Sequence, residues 1–270
     1  MNYLSIVEKI EKVRSVLCVG LDPDVEKLPV GYSKDLKGIT NFCIDIVEAT
    51  KDVCIAYKPN LAFFECYGTK GWSALEEIKA AIPHDIFTIA DAKRGDIGNT
   101  SKMYAKTFFD TMGFDAVTVA PYMGEDSIRP FLEFEDKWTI VLGLTSNPGS
   151  ADFQRLVMGN GLPLFENVIR KVVSWGSELN TMFVVGATHP GDFTEIREIV
   201  PEHFLLVPGV GAQGGTMKDV LTYGKGKKNP GLFVNSSRSI LYSSKGEDCL
   251  VRAREEAIKL NKEFISVYKN

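Results

Sequence analysis

Short, β-rich runs recur eight times along the chain, each followed by a polar turn and then a longer stretch with helical periodicity. They fall at residues 16–21, 53–57, 86–90, 116–120, 139–144, 182–187, 204–207 and 232–235. Most are apolar at consecutive positions, the pattern of parallel strands that are covered by helices on one side and packed against one another on the other. Eight such units within 270 residues leave little room for anything except one closed sheet.

The expected fold is therefore α/β, a single (β/α)8 TIM barrel that occupies residues 1–270 as one catalytic domain. An N-terminal helix precedes the first strand, because Tyr3, Ile6, Val7, Ile10 and Val13 recur at helical spacing among charges. The competing architecture is an open doubly wound sheet, which predicts a Gly-rich dinucleotide fingerprint after the first strand. That turn reads Gly20-Leu21-Asp22-Pro23-Asp24 and carries no such fingerprint. No Pro/Ser-rich linker or charge block divides the chain.

Composition narrows the function. A formal net charge of −4 with dispersed Lys and Arg offers no broad basic surface, so neither nucleic acid nor an anionic membrane is an expected partner. Five cysteines form no C-x-x-C pair, and His84, His189 and His203 lie far apart without metal-ligand spacing; no metal is expected. A sparse, odd cysteine set and an N-terminus without a signal-peptide stretch suit the cytoplasm, with Cys18 and Cys54 as buried thiols inside apolar runs.

In a barrel the strand C-termini and the loops after them carry the chemistry. Four charged side chains, Asp22, Lys58, Asp91 and Lys93, end the first three strands. Strand alternation predicts that Asp91 and Lys93 share a face while Ala92 points away, so that all four charges meet at the barrel mouth. Such a network is costly to bury unless it serves a purpose. The loops after the last two strands add a second signal. Gly209 to Gly215 lets backbone N–H groups approach a ligand and carries Gln213, and Ser236-Ser237-Arg238 supplies a guanidinium fork, together a phosphate site.

The segment DAKRGDIGNT (91–100), with its D-x-K-x-x-D element, resembles orotidine 5'-monophosphate decarboxylases. So do CVGLDPD (18–24), YKPNLAFFE (57–65), TSNPGSADFQ (145–154), PGVGAQGG (208–215) and NSSRSI (235–240), which are similar to strand-end segments of the family's longer-chain bacterial branch. Related sugar-phosphate decarboxylases and synthases carry comparable third-strand motifs, and it is the combination of blocks that is specific. The resemblance implies conversion of orotidine 5'-monophosphate to uridine 5'-monophosphate, the last step of de novo pyrimidine nucleotide synthesis, without a cofactor. It implies Lys93 as proton donor to C6 of the pyrimidine and Asp91 beside the departing carboxylate. Lys58 and Asp22 would contact the ribose hydroxyls, Ser146 the pyrimidine, and Gln213 and Arg238 the phosphate, with Pro208 also in the substrate-binding set. Asp96, Ile97 and Thr100 would reach the neighbouring subunit's site in a homodimer. Residues 147–163 and 224–230 depart from the shorter-chain pattern, so lid details are not carried over.

Other readings of the same residues remain open at this point. Lys93 as a Schiff-base nucleophile of an aldolase is opposed by the flanking carboxylates Asp91 and Asp96, which favour the ammonium form. A related decarboxylase could use the carboxylates to bind magnesium. A non-catalytic barrel that binds a phosphoribosyl ligand would have no need of the lysines.

Overall fold

The computed structural model describes residues 1–186, 190–209 and 216–268. Each of the eight apolar runs supplies a strand: β1 Leu17–Leu21, β2 Ala56–Pro59, β3 Phe87–Arg94, β4 Ala116–Val119, β5 Trp138–Leu144, β6 Thr181–Val185, β7 Leu205–Pro208 and β8 Leu232–Ser236. Every strand pairs in parallel with its successor, and β8 returns to β1 through Leu17↔Val234 and Cys18↔Asn235. The closed (β/α)8 barrel expected from the sequence is thus the fold.

The N-terminal helix α1 spans Tyr3–Val13; Asn2 Oδ1 caps it by accepting from the Ser5 N–H, and Ile6 and Ile10 form its buried stripe. One longer helix then follows each strand: α2 Leu36–Thr50, α3 Thr69–Ala81, α4 Gly98–Lys106, α5 Glu125–Leu132, α6 Leu164–Val173, α7 Pro190–Ile199, α8 Met217–Gly224 and α9 Cys249–Tyr268. Their apolar faces cover the outside of the barrel, which is why the strands carry apolar residues on both sides.

The strand N-termini are plugged by aromatic rings. Phe87, Trp138, Phe204 and Phe233 are fully buried and touch across the barrel axis, with centroid separations of 5.1 Å for Phe87–Phe233 and 5.4 Å for Phe204–Phe233. Trp138 Nε1 donates to the Met1 carbonyl oxygen and the Tyr3 ring packs on Phe204, so the N-terminal segment seals this end. Truncating one such ring to Ala costs about 3–5 kcal/mol. With one end closed by packing, the polar strand ends are left to form the mouth at the other.

Two strands differ from expectation by three residues or more at one end. In β2 pairing starts at Ala56 rather than Val53, because residues 51–53 complete the turn after α2; Val53 and Cys54 are apolar because they pack there, without pairing in the sheet. In β3 pairing continues past Ala90 to Arg94, through a bulge described below. The end of the sixth run, Ala187, lies outside the described residues, as does His189. Cys18 and Cys54 are buried as expected, and burial pushes both thiols up, that of Cys54 to about 12, so they stay protonated and inert.

The two departing segments prove to be at opposite ends. Residues 147–163 follow β5 at the mouth and fold into a helical turn, Ser150–Phe153, and a bridge between Val157 and Pro163. Residues 224–230 precede β8 and sit at the sealed end, where Asn229 Nδ2 donates to the Tyr3 hydroxyl. They have no place in a lid.

Candidate active site

The mouth holds a cavity of about 430 Å³ whose lining comes from strand ends all around the barrel. One wall is charged. Lys58 is only 4% exposed, and its Nζ donates to Asp91 Oδ2 at 2.8 Å and stands 3.8 Å from Asp22 Oδ1. Lys93 Nζ donates to Asp91 Oδ1 at 2.6 Å. The order in space is therefore Asp22, Lys58, Asp91, Lys93, with signs alternating. The opposite wall is apolar, made by Leu142, Val184 and Leu206 from β5, β6 and β7.

The buried pair Lys58 and Asp91 is held in the ionised form by its neighbours. Burial would push the Asp91 carboxyl up, but Lys58 and Lys93 outweigh it and keep it well below the usual carboxylate range. Burial likewise opposes the Lys58 ammonium, and Asp22 and Asp91 overcome that and raise it above the ordinary lysine value. Asp91 and Lys58 are therefore charged throughout the neutral range, and facing apolar side chains keep the local dielectric low.

Asp91 and Lys93 do converge, but regular alternation is not what brings them together. Between the pairs Ala90↔Val117 and Arg94↔Val119, three residues of β3 oppose the single Thr118 of β4. Within that bulge Lys93 has φ 47°, a left-handed backbone that costs a non-glycine residue about 1–2 kcal/mol. The bulge turns Lys93 into the mouth. Arg94, next along the chain, points the other way, pairing with Glu65 and lying over the Tyr104 and Phe108 rings.

The loop after β5 is built by its own motif. Gln154 Oε1 accepts from the Thr145 N–H at 2.7 Å and its Nε2 donates to Thr145 Oγ1 at 2.8 Å, which fixes the turn carrying Ser146 into the cavity. Gly186 is required beside it, since a Cβ there would meet the Ser146 backbone nitrogen at 2.7 Å.

Arg238 lies at the rim, exposed, and pairs with no carboxylate among the described residues. Pro208 and Gly209 line the same side. Gln213 lies outside the described residues. Three buried oxygens that find no hydrogen-bond partner among the described residues, Asp22 Oδ1, Asn235 Oδ1 and Ser237 Oγ, belong to residues that line the cavity. Buried polar atoms left unsatisfied in this way mark a place for a polar ligand.

Of the expected site residues, the chain brings Asp22, Lys58, Asp91, Lys93, Ser146, Pro208 and Arg238 to one cavity. It does not bring Asp96, Ile97 or Thr100 there. They follow β3 on the outside of the mouth, with Asp96 Oδ1 accepting from the Ile97 N–H at 2.8 Å and Ile97 and Thr100 exposed. Sequence reasoning missed Asn60 and Asn235, which also line the cavity; both sat in quoted motifs, where an asparagine at a strand end reads as a turn former. Among the described residues no group of three or more His, Cys, Asp or Glu side chains could hold a metal ion.

The chain as a whole is similar to known proteins. The model of the orotidine 5'-phosphate decarboxylase / HUMPS family matches residues 15–250. The orotidine 5'-phosphate decarboxylase of Phocaeicola vulgatus is 54% identical over 264 residues, 96% of this chain and 96% of that protein. That of Flavobacterium johnsoniae is 53% identical over 271 residues, 99% of this chain and 98% of that protein. Among solved structures, Leishmania donovani OMP decarboxylase superposes with a TM-score of 0.84 at 36% identity, covering 98% of this chain and all of that one. Leishmania donovani UMP synthase gives a TM-score of 0.86 at 37% identity over 98% of this chain, which spans 57% of that longer chain.

Proposed function

The chain belongs to the orotidine 5'-phosphate decarboxylase / HUMPS family, and we propose that its barrel mouth converts orotidine 5'-monophosphate to uridine 5'-monophosphate and carbon dioxide, as its relatives' names indicate. The observation that carries this reading is the alternating array Asp22, Lys58, Asp91, Lys93 on one wall of a cavity whose other wall is apolar.

Breaking the bond between C6 and the carboxylate leaves an electron pair on C6 that the pyrimidine ring delocalises poorly. A fixed ammonium stabilises that pair as it forms and then neutralises it by transferring a proton to C6; Lys93 regains the proton from solvent. Asp91, ionised and hydrogen-bonded to both lysines, aims Lys93 and places negative charge beside the substrate's carboxylate, so that loss of carbon dioxide relieves repulsion. Lys58 and Asp22 take the ribose hydroxyls, for which Asp22 Oδ1, without a hydrogen-bond donor among the described residues, is an acceptor. Ser146 and Pro208 meet the base, and Arg238 with Gln213 grips the phosphate, whose remote binding energy supports the chemical step.

The site is completed by a second copy of the chain. Asp96, Ile97 and Thr100 stay outside their own cavity, and Ile97, Met103, Tyr122 and Met123 are large apolar side chains left exposed on α4 and the adjoining loops. A two-fold interface there would cover them and deliver Asp96 to the partner's mouth. We also propose that residues 1–270 act as one catalytic domain in the cytoplasm; among the described residues no helix is long and apolar enough to cross a membrane.

The test is direct. Purified, chelator-treated protein mixed with orotidine 5'-monophosphate should remove the substrate's ultraviolet absorbance and yield equimolar uridine 5'-monophosphate. Absence of turnover in folded protein would overturn the assignment.

A further inference from the structure

Lys93 must stay in a strained conformation to face the cavity, and something has to hold it. The β3 bulge takes Asp91, Ala92 and Lys93 out of register with β4, and among the described residues no β2 or β4 residue is paired with Lys93, which leaves its N–H outside the ladder. It donates instead to Thr118 Oγ1 at 2.9 Å. The same hydroxyl donates to Asp91 Oδ1 at 3.0 Å. The direction of both bonds is forced, since an amide N–H can only donate and an ionised carboxylate can only accept. Thr118 is fully buried on β4 and does not line the cavity.

We propose that Thr118 is a positioning residue for decarboxylation: its single hydroxyl ties the backbone of Lys93 to the carboxylate of Asp91, fixing the ammonium and its counter-ion in one geometry. The proposal rests on the reading above, in which Lys93 delivers the proton. Two features set this hydroxyl apart from an ordinary strand threonine. It occupies the one β4 position opposite the three bulged residues. It also joins the strained residue to the carboxylate that its own side chain contacts, closing a ring of hydrogen bonds Thr118–Asp91–Lys93. Valine has the same shape without the hydroxyl, and serine has the hydroxyl without the methyl.

The experiment compares Thr118→Val and Thr118→Ser with the wild-type protein in steady-state decarboxylation, in affinity for uridine 5'-monophosphate, and in hydrogen exchange at the Lys93 amide. A hydrogen bond to a charged group, once lost, should lower kcat roughly ten- to a hundredfold in the valine variant. KM and product affinity should stay within about threefold, because the binding groups are untouched. The serine variant should return to within about threefold of wild type in kcat. A residue that merely fills space would show the reverse order, with valine the milder change. If valine does not fold, Thr118→Ala takes its place in the comparison with serine. The proposal is overturned if the hydroxyl-free variant keeps kcat within about twofold of wild type, or if serine is as impaired as valine. Should the wild-type protein itself fail to turn over, the functional reading falls, and exchange at the Lys93 amide still decides: acceleration of about tenfold or more in the valine variant supports the tie, and unchanged exchange refutes it.

Discussion

Replacing Asp91 by asparagine should destabilise the protein as well as inactivate it, and the amount follows from the site geometry. Asp91 is the nearer of the two counter-ions of Lys58, at 2.8 Å against 3.8 Å for Asp22. At an effective dielectric constant of about 20, those separations correspond to gross attractions of roughly 6 and roughly 4 kcal/mol. Asp91→Asn removes the larger one and leaves a lysine that is 4% exposed with a single, longer ionic contact. Breaking a buried pair by deleting one partner typically costs about 3–5 kcal/mol, and the surviving Asp22 places this case near the lower bound, at about 3 kcal/mol. For a chain of 270 residues the melting temperature should fall by roughly 5 °C, read by thermal scanning at pH 7. The second arm is Asp91→Asn with Lys58→Met. Removing the stranded ammonium should restore at least about half of the lost stability while activity stays absent. Melting of Asp91→Asn within about 2 °C of wild type, or a double variant less stable than the single one, would refute the idea that these charges are buried as an interdependent set.

Three further outcomes are expected. Arg238→Ala should weaken uridine 5'-monophosphate by roughly ten- to a hundredfold and uridine hardly at all, measured by calorimetry with both ligands; equal losses would mean that Arg238 serves the fold. His203 is buried with neither ring nitrogen partnered among the described residues, and burial, together with Arg197, pushes its imidazole down to about 4 while Glu178 opposes this only in part. Because the folded state then binds fewer protons than the unfolded chain, stability should decline as pH falls from the ordinary histidine value through about 4, by up to about 3 kcal/mol; His203→Leu should lose that part of the slope, and an unchanged pH profile would count against it. Mixing Lys93→Ala with Asp96→Ala chains, both nearly inactive alone, should restore roughly a quarter of wild-type activity after subunit exchange, since half the dimers are mixed and each has one intact site; no recovery would confine Asp96 to its own chain.

The barrel was legible because its strands are buried on both faces, so that apolar runs such as those ending in Leu21 and Val207 stand out without any periodicity. Apolarity reports burial rather than pairing, however, and so β2 was expected three residues early, at Val53. The charged wall was legible because Asp22, Lys58, Asp91 and Lys93 stand where strands end. What propensity cannot express is that Asp91-Ala92-Lys93-Arg94 continues a strand through a bulge, since a charged run with a left-handed residue reads as a turn. Thr118 was illegible for the opposite reason. A β-branched residue in a strand looks like ordinary sheet material, and its role exists only once β3 lies beside β4. The apolar wall was hidden likewise, because Leu142, Val184 and Leu206 look like any other core residue until the barrel closes.

The central claim is that the Lys93 ammonium acts on charge that develops at C6 rather than on substrate binding. Single-turnover reaction of orotidine 5'-monophosphate with excess Lys93→Ala protein isolates that step, with calorimetry of uridine 5'-monophosphate on the same sample as the control. The account predicts loss of turnover by at least about a hundredfold while product affinity stays within a few-fold of wild type, because the exposed Lys93 side chain carries little of the ground-state binding. Turnover within about tenfold of wild type, or product affinity lost in proportion to turnover, would contradict it.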